Sequence, residues 1–276
     1  MQELRNTILQ GHSLDVLRGL ADHSINCCVT SPPYWALRDY GVHGQIGLES
    51  TVQEYVMAVC HVFDEIKRVL TLDGTCWVNL GDTYSREKSL CQIPSRFTIE
   101  MIDRGWILRN EIIWHKPNCM PSSATDRFTT DFEKLFLFVK SPKYWFQQQL
   151  EPALMNRWGG NKFVPKQHYN YKNQAAVKVR ARDMMPEQRN KRCVWSVPTR
   201  PLKEAHFASY PEKLIEIPIK AGCPVGGIVL DPFFGSGTTG VAAKKLGRGY
   251  LGIELNPEYI EIANLRLGLQ SFSSSH

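Results

Sequence analysis

Two short segments, far apart in the sequence, contain the residue types that could hold a flat nitrogenous ring beside a nucleotide-like ligand. Residues 30–35 combine hydroxyls, two consecutive prolines and two aromatic rings. Residues 231–239 begin with an acid and continue into a glycine-rich run. Each segment follows a short apolar run that predicts a buried strand, and α/β sheets bind their ligands just past the carboxyl ends of strands. Together the segments predict an enzyme that places a heterocycle beside a nucleotide-like cofactor.

The first segment predicts a rigid set of hydrogen-bond acceptors beside an aromatic face. Pro32 and Pro33 fix the backbone and lack amide donors but keep their carbonyls, and the Ser31 hydroxyl adds another acceptor. Such a set suits an exocyclic amino group, because acceptors held out of the ring plane would localise its lone pair. Tyr34, with Trp35 as a second candidate, offers a face for stacking. The alternative is a proline-rich turn with a capping serine and a core aromatic residue.

The second segment predicts a strand-to-helix turn that a ligand can approach closely. Gly235 and Gly237 permit a sharp turn, and the next helix would present free N–H groups to a carboxylate or phosphate. The segment lacks the third glycine of the dinucleotide fingerprint and the lysine of a phosphate loop. Glu254 ends the following strand, where an acid can accept both ribose hydroxyls of a nucleoside. The alternatives are a structural turn and, for Glu254, a charge at the start of a helix.

The two segments resemble motifs of the DNA methyltransferases that methylate amino groups with S-adenosylmethionine. Residues 30–34 are similar to the catalytic motif of that family, and residues 231–239 are similar to its cofactor motif. The order of catalytic motif, basic region and cofactor motif resembles the beta class. The resemblance covers nearly the whole chain outside the basic region, and residues 74–84, 114–118 and 211–214 support it.

The resemblance implies a set of residues for each ligand. The target base would be held by Ser31, Pro32, Pro33 and Tyr34. The cofactor S-adenosyl-L-methionine would be bound by Asp231, Phe233, Gly235, Gly237, Thr238, Glu254 and Asn256. Family members often carry Gly-Asp after the first strand, where this chain has Gly11 and His12. The adenine contact is therefore left open, and His12 is expected to be a surface histidine.

The residue in the first position of the catalytic motif bears on the product. By resemblance, serine there is typical of N4-cytosine methylases, and aspartate or asparagine is usual for N6-adenine. Ser31 therefore favours cytosine N4, with adenine N6 as the enzymatic alternative and a protein or RNA methylase below it. Methylation at cytosine C5 is rejected, because it needs a thiolate in a Pro-Cys context that the sequence lacks. The alternative from another class of protein is a non-catalytic DNA-binding relative. Both motifs are intact, which argues against that alternative.

The whole chain has a formal net charge of +6, and its positive charge is concentrated in one segment. Residues 140–203 contain 14 Lys and Arg against three Asp and Glu, so the remainder is net acidic. Aromatic residues interleave with these charges, which is unusual for a purely solvating loop, the alternative interpretation. The pattern predicts contacts with double-stranded DNA, from which a target base must be extruded for chemistry. The predicted DNA-binding residues are Lys162, Lys166, Lys172, Arg180, Arg182, Arg189, Lys191 and Arg192.

Strand–helix alternation at both ends of the chain predicts an α/β fold with a doubly wound, mostly parallel sheet. By resemblance this is a Rossmann-like methyltransferase fold with an inserted DNA-recognition region. We expect residues 1–141 to form the catalytic half, 142–203 the recognition insert, 204–270 the cofactor-binding half and 271–276 a tail. Strands are expected at residues 7–9, 25–29, 75–80, 107–114, 135–139, 228–230 and 250–254, with a turn at 72–74. Helices are expected around residues 14–20 and at 52–70, 94–102, 212–220, 238–246 and 257–267.

Composition limits the class of protein. The eight cysteines show no C-x-x-C spacing, so neither a disulfide nor a metal site is expected. No apolar run approaches the ~20 residues of a membrane span, and the amino terminus lacks a signal-peptide pattern. We therefore expect a cytoplasmic protein that associates with the nucleoid through DNA, without a membrane partner. Whether a cognate restriction endonuclease accompanies it is left open.

Overall fold

The computed structural model describes residues 4–153, 188–199 and 210–269. These residues belong to two compact units. One comprises Met1–Gln147 and Cys193–His276, and the other is Gln148–Arg192. The described strands are β1 (Thr7–Gln10), β2 (Ile25–Thr30), β3 (Leu70–Leu80), β4 (Ile107–His115), β5 (Phe132–Val139), β6 (Leu150–Pro152), β7 (Gln188–Asn190), β8 (Val194–Ser196), β9 (Ile228–Asp231) and β10 (Gly249–Glu254).

The larger unit is built on an eight-stranded sheet with the order β1-β10-β9-β2-β3-β5-β4-β8. Strand β5 runs antiparallel to its neighbours β3 and β4, and the other pairs are parallel. The predicted mostly parallel sheet is therefore confirmed. Because β5 returns between β3 and β4, it brings residues that are distant in sequence to the same edge of the sheet.

Helices cover both faces of the sheet, as a doubly wound fold requires. The described helices are α1 (Ser13–Arg18), α2 (Val52–Val69), α3 (Ile93–Asp103), α4 (Glu212–Gly222), α5 (Thr238–Lys245) and α6 (Pro257–Leu267). Apolar residues of α1, α2 and α3 share one buried core with Cys28, and those of α4, α5 and α6 share a second core with Cys27. The two cysteines are adjacent on β2, so their side chains alternate between the two faces. None of these helices is long and apolar enough to span a membrane.

The turn predicted at residues 72–74 lies inside β3, which is longer than the sequence indicated. Ile25 of β2 pairs with Leu70, but Cys27 pairs with Thr75. The extra residues of β3 therefore bulge out of the ladder, and Leu72 is 69% exposed. The chain changes direction locally, as its Asp-Gly pair suggests, but the strand continues on both sides of the bulge.

The unit Gln148–Arg192 lies within the predicted insert and contains the antiparallel strand pair β6–β7, in which Glu151 pairs with Arg189. Strand β8 also falls within residues 142–203, but it pairs with β4 in the main sheet. A three-residue strand has too few positions for periodicity to reveal it, so strand β8 was not predicted.

In the part of the chain that the structure describes, no group of three His, Cys, Asp or Glu could hold a metal ion.

Candidate active site

The two sequence motifs meet at the carboxyl ends of neighbouring strands. Strands β2 and β9 are parallel partners, and the Thr30 hydroxyl at the end of β2 donates to Asp231 Oδ1 at the end of β9 over 2.6 Å. The Ser13 hydroxyl at the start of α1 donates to the Pro232 carbonyl at 2.5 Å. The Ser-Pro-Pro-Tyr turn and the glycine-rich turn therefore begin side by side, with α1 tied to the same edge.

Asp231 is a buried carboxylate with protein donors on both oxygens. The Thr239 hydroxyl donates to it at 2.6 Å and the Phe233 amide at 3.1 Å, and the Tyr210 hydroxyl lies 3.0 Å away. Burial raises the pKa of Asp231, and these hydrogen bonds and that of Thr30 oppose the rise. The carboxylate joins the ends of β2 and β9 to the start of α5. A direct contact of Asp231 or Phe233 with the cofactor stays a prediction.

The glycine-rich turn contains two residues with left-handed backbone. Gly235 has φ 50° and Gly237, the N-cap of α5, has φ 80°, values that residues with side chains rarely adopt. A Cβ on Gly237 would lie 2.9 Å from the Ala263 Cβ, whereas a Cβ on Gly235 would meet no atom within 4 Å. The space beside Gly235 therefore allows a ligand to approach the backbone, as the predicted cofactor requires.

Arg266 of α6 holds the same turn from the protein side. Its guanidinium donates to the Ser236 carbonyl at 2.6 Å, the Ser236 hydroxyl at 2.9 Å and the Thr238 hydroxyl at 3.1 Å. Thr238 is buried, and its hydroxyl accepts this hydrogen bond from Arg266. Sequence reasoning missed Arg266 because a single arginine on a surface helix usually indicates a solvated face.

Glu254 connects the end of β10 to the glycine-rich turn. Its carboxylate accepts from the Gly235 amide at 2.7 Å and from the Asn256 amide at 2.8 Å. Burial raises the pKa of Glu254, and these amides oppose the rise. The Asn256 side chain caps α6 by accepting from the Glu258 amide at 2.9 Å. A half-buried carboxylate beside the open side of Gly235 fits a ligand that carries ribose hydroxyls.

His12 follows Gly11, just past the end of β1, at the end of the sheet where β1 pairs with β10. The Gly11 amide donates to the Glu254 carbonyl at 3.0 Å. The His12 side chain is 30% exposed and its Nδ1 lies 3.9 Å from Asp15 Oδ2. The structure therefore leaves His12 partly exposed beside Asp15, and a contact of His12 with a ligand stays open.

The Ser-Pro-Pro-Tyr turn is held by α2. The Tyr55 hydroxyl donates to the Pro33 carbonyl at 2.7 Å, and α2 begins at a capping box between Thr51 and Glu54. One of the predicted acceptors is thus already engaged by the protein, whereas Ser31 is half-buried at the start of the turn. Pro32 is buried behind it.

Tyr34 is surrounded by polar residues that sequence reasoning did not select. Its hydroxyl donates to Glu133 Oε2 at 2.6 Å and lies 2.8 Å from Asn79 Nδ2. Lys116 forms an ion pair with Glu133 Oε1. Asn79 and Lys116 fall in two of the segments that support the family resemblance, but nothing in the sequence indicates Glu133. The Trp35 indole donates to the Glu49 carbonyl at 2.9 Å and packs against the first core.

Three of the eight predicted DNA-binding residues lie in the described part of the chain. Arg189 and Arg192 both contact Glu151 Oε1, at 3.0 Å and 2.7 Å, and the pKa of Glu151 is lowered by them, chiefly by Arg192. The Lys191 amide donates to the Gln149 carbonyl at 2.9 Å. Outside the described residues lie Lys162, Lys166, Lys172, Arg180 and Arg182. DNA contact by these eight residues stays a prediction.

Sequence relatives of this chain are DNA-modifying enzymes. The family model for N6/N4 methyltransferases, described as DNA methylase, matches residues 25–265. The chain is 40% identical to the Type II methyltransferase M.Cfr9I of Citrobacter freundii, over 95% of this chain and 87% of that protein. It is 35% identical to the Type II methyltransferase M.SmaI of Serratia marcescens, over 94% of this chain and 90% of that protein.

Solved structures share the fold. The cytosine-N4-specific PvuII DNA methyltransferase matches with a TM-score of 0.70 at 22% identity, over 98% of this chain and 88% of that one. TTHA0409 of Thermus thermophilus, solved in complex with S-adenosyl-L-methionine, matches with a TM-score of 0.63 at 25% identity, over 96% of each chain. The family model spans most of the sequence, including both motifs of the candidate site. This chain therefore belongs to the N6/N4 family of DNA methylases.

Proposed function

We propose that this DNA methylase transfers a methyl group to the exocyclic N4 of cytosine in duplex DNA, after extruding the base from the helix. The observation that carries the proposal is the Thr30–Asp231 hydrogen bond of 2.6 Å. It fixes the turn that would hold the base beside the turn that would hold the cofactor. Methyl transfer needs both reactants in one place, and such positioning is itself a large part of catalysis.

The methyl donor is S-adenosyl-L-methionine, which supplies an electrophilic methyl group when bound. Glu254 would accept the ribose hydroxyls, because the amides of Gly235 and Asn256 hold its carboxylate beside the open side of the turn. Phe233, Gly237 and Thr238 would shape the same pocket. Asp231 would act mainly by keeping the turn in place.

The Ser-Pro-Pro-Tyr turn would prepare the amino group. The lone pair of this nitrogen is delocalised into the ring, so the free base is a poor nucleophile. The Ser31 hydroxyl and the Pro32 carbonyl would accept hydrogen bonds from the amino N–H groups and draw the nitrogen toward a tetrahedral geometry. As the bond between nitrogen and the methyl group forms and the donor's carbon–sulfur bond breaks, one amino proton would leave to solvent. Interactions that strengthen toward the transition state are those that raise turnover. Ser31 would position and polarise the amino group, since a serine hydroxyl is a weak base at neutral pH.

Double-stranded DNA is the proposed macromolecular substrate. A target base inside the stack is out of reach, so it would be extruded and placed against Tyr34. The basic residues between 162 and 192 would contact phosphates and read base edges. The enzyme would work in the cytoplasm on nucleoid DNA. The relatives are Type II methyltransferases, which supports a role in a restriction-modification system with a cognate endonuclease.

Cytosine is favoured over adenine for two reasons. Ser31 occupies the position where N6-adenine methylases usually carry an acid or asparagine. A structural neighbour is itself cytosine-N4-specific. N6-adenine methylation by the same turn is the second candidate, because adenine presents the same kind of amino group.

The test is the identity of the methylated nucleoside. The purified protein is incubated with labelled S-adenosyl-L-methionine and amplified, unmethylated DNA, which is then digested and analysed by mass spectrometry. We expect N4-methylcytosine, with neither N6-methyladenine nor C5-methylcytosine. Ser31→Ala is the matched control: it should fold and bind the cofactor like the wild type but lose most methyl transfer.

Each other outcome has a defined meaning. N6-methyladenine alone would overturn the cytosine assignment but leave amino methylation standing. DNA binding without any product would favour a non-catalytic relative. Near-complete turnover by the Ser31→Ala variant would remove Ser31 from its catalytic role.

A further inference from the structure

We propose that Glu133 is a positioning residue that fixes the Tyr34 ring as the surface for the extruded base, with Asn79 and Lys116 holding Glu133 in place. This inference rests on the proposed function. Glu133 lies near the start of β5, 99 residues from Tyr34 in sequence. It reaches the site because β5 lies between β3 and β4 in the sheet.

The contacts form a closed hydrogen-bonded triangle. The Tyr34 hydroxyl and Glu133 Oε2 are 2.6 Å apart, and Asn79 Nδ2 lies 2.8 Å from the first and 2.7 Å from the second. Lys116 contacts the other oxygen of Glu133. The ammonium of Lys116 also lies 4.6 Å from the centroid of the Trp114 ring. Asn79 of β3 and Glu133 of β5 thus contact one phenol, and Lys116, just after β4, contacts Glu133.

Hydrogen-bonding capacity fixes the role of each group. An ionised carboxylate only accepts, so the phenol must donate to Glu133 and the Asn79 amide nitrogen must donate to both partners. This orientation leaves Asn79 Oδ1 buried without a hydrogen-bond partner among the described residues. Leaving a buried acceptor unpaired is costly, so the triangle determines how the amide lies.

Burial strengthens the arrangement. Asn79 is 2% exposed, and the side chains of Lys116 and Glu133 are 20% and 15% exposed. Burial and the nearby Glu133 charge raise the pKa of Tyr34, while the Ser31 hydroxyl opposes the rise. The phenol therefore stays neutral and keeps its proton for Glu133.

The ring is also restrained on its side. A Cβ on Gly81 would lie 2.6 Å from Tyr34 Cε2, so the ring packs directly on the backbone at the end of β3. The ring is held at its hydroxyl and along its edge. A fixed ring lowers the entropy cost of placing the base. A phenol that donates to a carboxylate is also electron-rich, which favours the positive charge that develops on an alkylated base.

The experiment compares Glu133→Gln, Tyr34→Phe and the double variant in the full-length protein. Glu111→Gln is the matched control. Glu111 lies on the adjacent strand β4 and forms an ion pair with Lys134, whose nitrogen lies 2.7 Å from Glu111 Oε1, and it takes no part in the triangle at Tyr34. Single-turnover transfer of labelled methyl groups to amplified, unmethylated DNA is measured with both substrates saturating. Affinity for S-adenosyl-L-methionine is measured by calorimetry on the same preparations.

We expect each single variant to slow the single-turnover rate at least tenfold while its cofactor affinity stays within twofold of the wild type. The double variant should be no slower than the slower single variant, because both changes disrupt the same hydrogen-bonded triangle. Glu111→Gln should stay within twofold in both measurements. A merely structural role would lower cofactor affinity along with the rate.

Wild-type rates in the Glu133→Gln variant, or effects that multiply in the double variant, would overturn the inference. If Glu133→Gln fails to fold, Tyr34→Phe decides, since it removes only the hydroxyl; a rate within twofold of the wild type would then reject the role. Failure of DNA methylation itself is distinguishable, because the wild type would then transfer no methyl group, and the inference would fall with it; transfer to adenine in place of cytosine would leave the inference standing.

Discussion

Two acidic residues of the candidate site differ in the atoms that surround them, although each ends a buried strand. Asp231 is 1% exposed and takes donors from the Thr30 and Thr239 side chains. Glu254 is only partly buried and accepts from two backbone amides. A carboxylate filled by side-chain donors stabilises the fold, whereas one held by amides at an open turn keeps acceptor capacity for a ligand. The sequence could not separate the two, because the Thr30 donor of Asp231 lies 201 residues away in the chain.

Glu254→Gln should weaken cofactor binding more than DNA binding. Losing a charged acceptor of the ribose should cost about 1.5–3 kcal/mol, measured by calorimetry with S-adenosyl-L-methionine. Burial raises the pKa of Glu254, and only the ionised form accepts from both hydroxyls. Wild-type affinity should therefore fall as the pH is lowered through that raised pKa, and the variant should lack this dependence.

The matched control for this prediction is Glu258→Gln, an exposed acid in the first turn of α6. It should leave cofactor affinity unchanged at every pH. Equal losses of cofactor and DNA binding in Glu254→Gln would indicate misfolding. An unchanged affinity would remove Glu254 from the cofactor site.

At the scale of elements, the glycine-rich turn is held in place by the packing of Phe234. Its ring stacks on Tyr250 with centroids 5.8 Å apart. A Cβ added to Gly240 of α5 would lie 2.7 Å from this ring, and one added to Gly252 of β10 would overlap it. The absent side chains let α5 and β10 close around one aromatic ring, which fixes the glycine-rich turn between β9 and α5.

Gly252→Ala should destabilise the protein, because the new methyl group would overlap Phe234 on a strand that cannot move. Overpacking of this kind costs about 1–3 kcal/mol, which corresponds to a decrease in Tm of roughly 2–10 °C for a chain of this size. Thermal unfolding followed by circular dichroism measures the change.

Gly19→Ala is the control, since its Cβ would meet only the Val16 carbonyl at 3.4 Å with an ordinary backbone. It should leave Tm nearly unchanged. Adding Phe234→Leu to Gly252→Ala should recover part of the loss by making room for the methyl group. If Gly252→Ala unfolds at the wild-type temperature, Phe234 does not fix the turn in the way described.

The elements themselves were largely predictable, because long amphipathic or apolar runs report local structure. The helix predicted at residues 52–70 is α2 (Val52–Val69), and the one at 257–267 is α6 (Pro257–Leu267). The β3 bulge, the short strand β8 and the place of Glu133 were not predictable. Each depends on which strands become neighbours in the sheet, and that is decided by the packing of the whole chain.

At the scale of the whole molecule, charge is divided between an acidic body and a basic segment. The described basic residues are partly compensated: Arg189 and Arg192 share Glu151. A phosphate would have to compete with that carboxylate for either arginine. The positive charge proposed to bind DNA therefore comes mainly from residues outside the described ranges. A test of DNA binding should change those residues and leave the β6–β7 strand pair unchanged.

Replacing Lys162, Lys166, Lys172, Arg180 and Arg182 with glutamine should weaken DNA binding and flatten its dependence on salt. The slope of log affinity against log salt is negative. For each phosphate that is no longer neutralised, its magnitude should decrease by roughly 0.9, because fewer counterions are released. Fluorescence anisotropy at several salt concentrations measures the slope. Lys220→Gln is the control, because Lys220 of α4 lies in the larger unit, where it forms an ion pair with Glu216 at 3.5 Å. The salt slope of this variant should match that of the wild type. A slope unchanged by all five substitutions would make the basic segment an ordinary solvated surface.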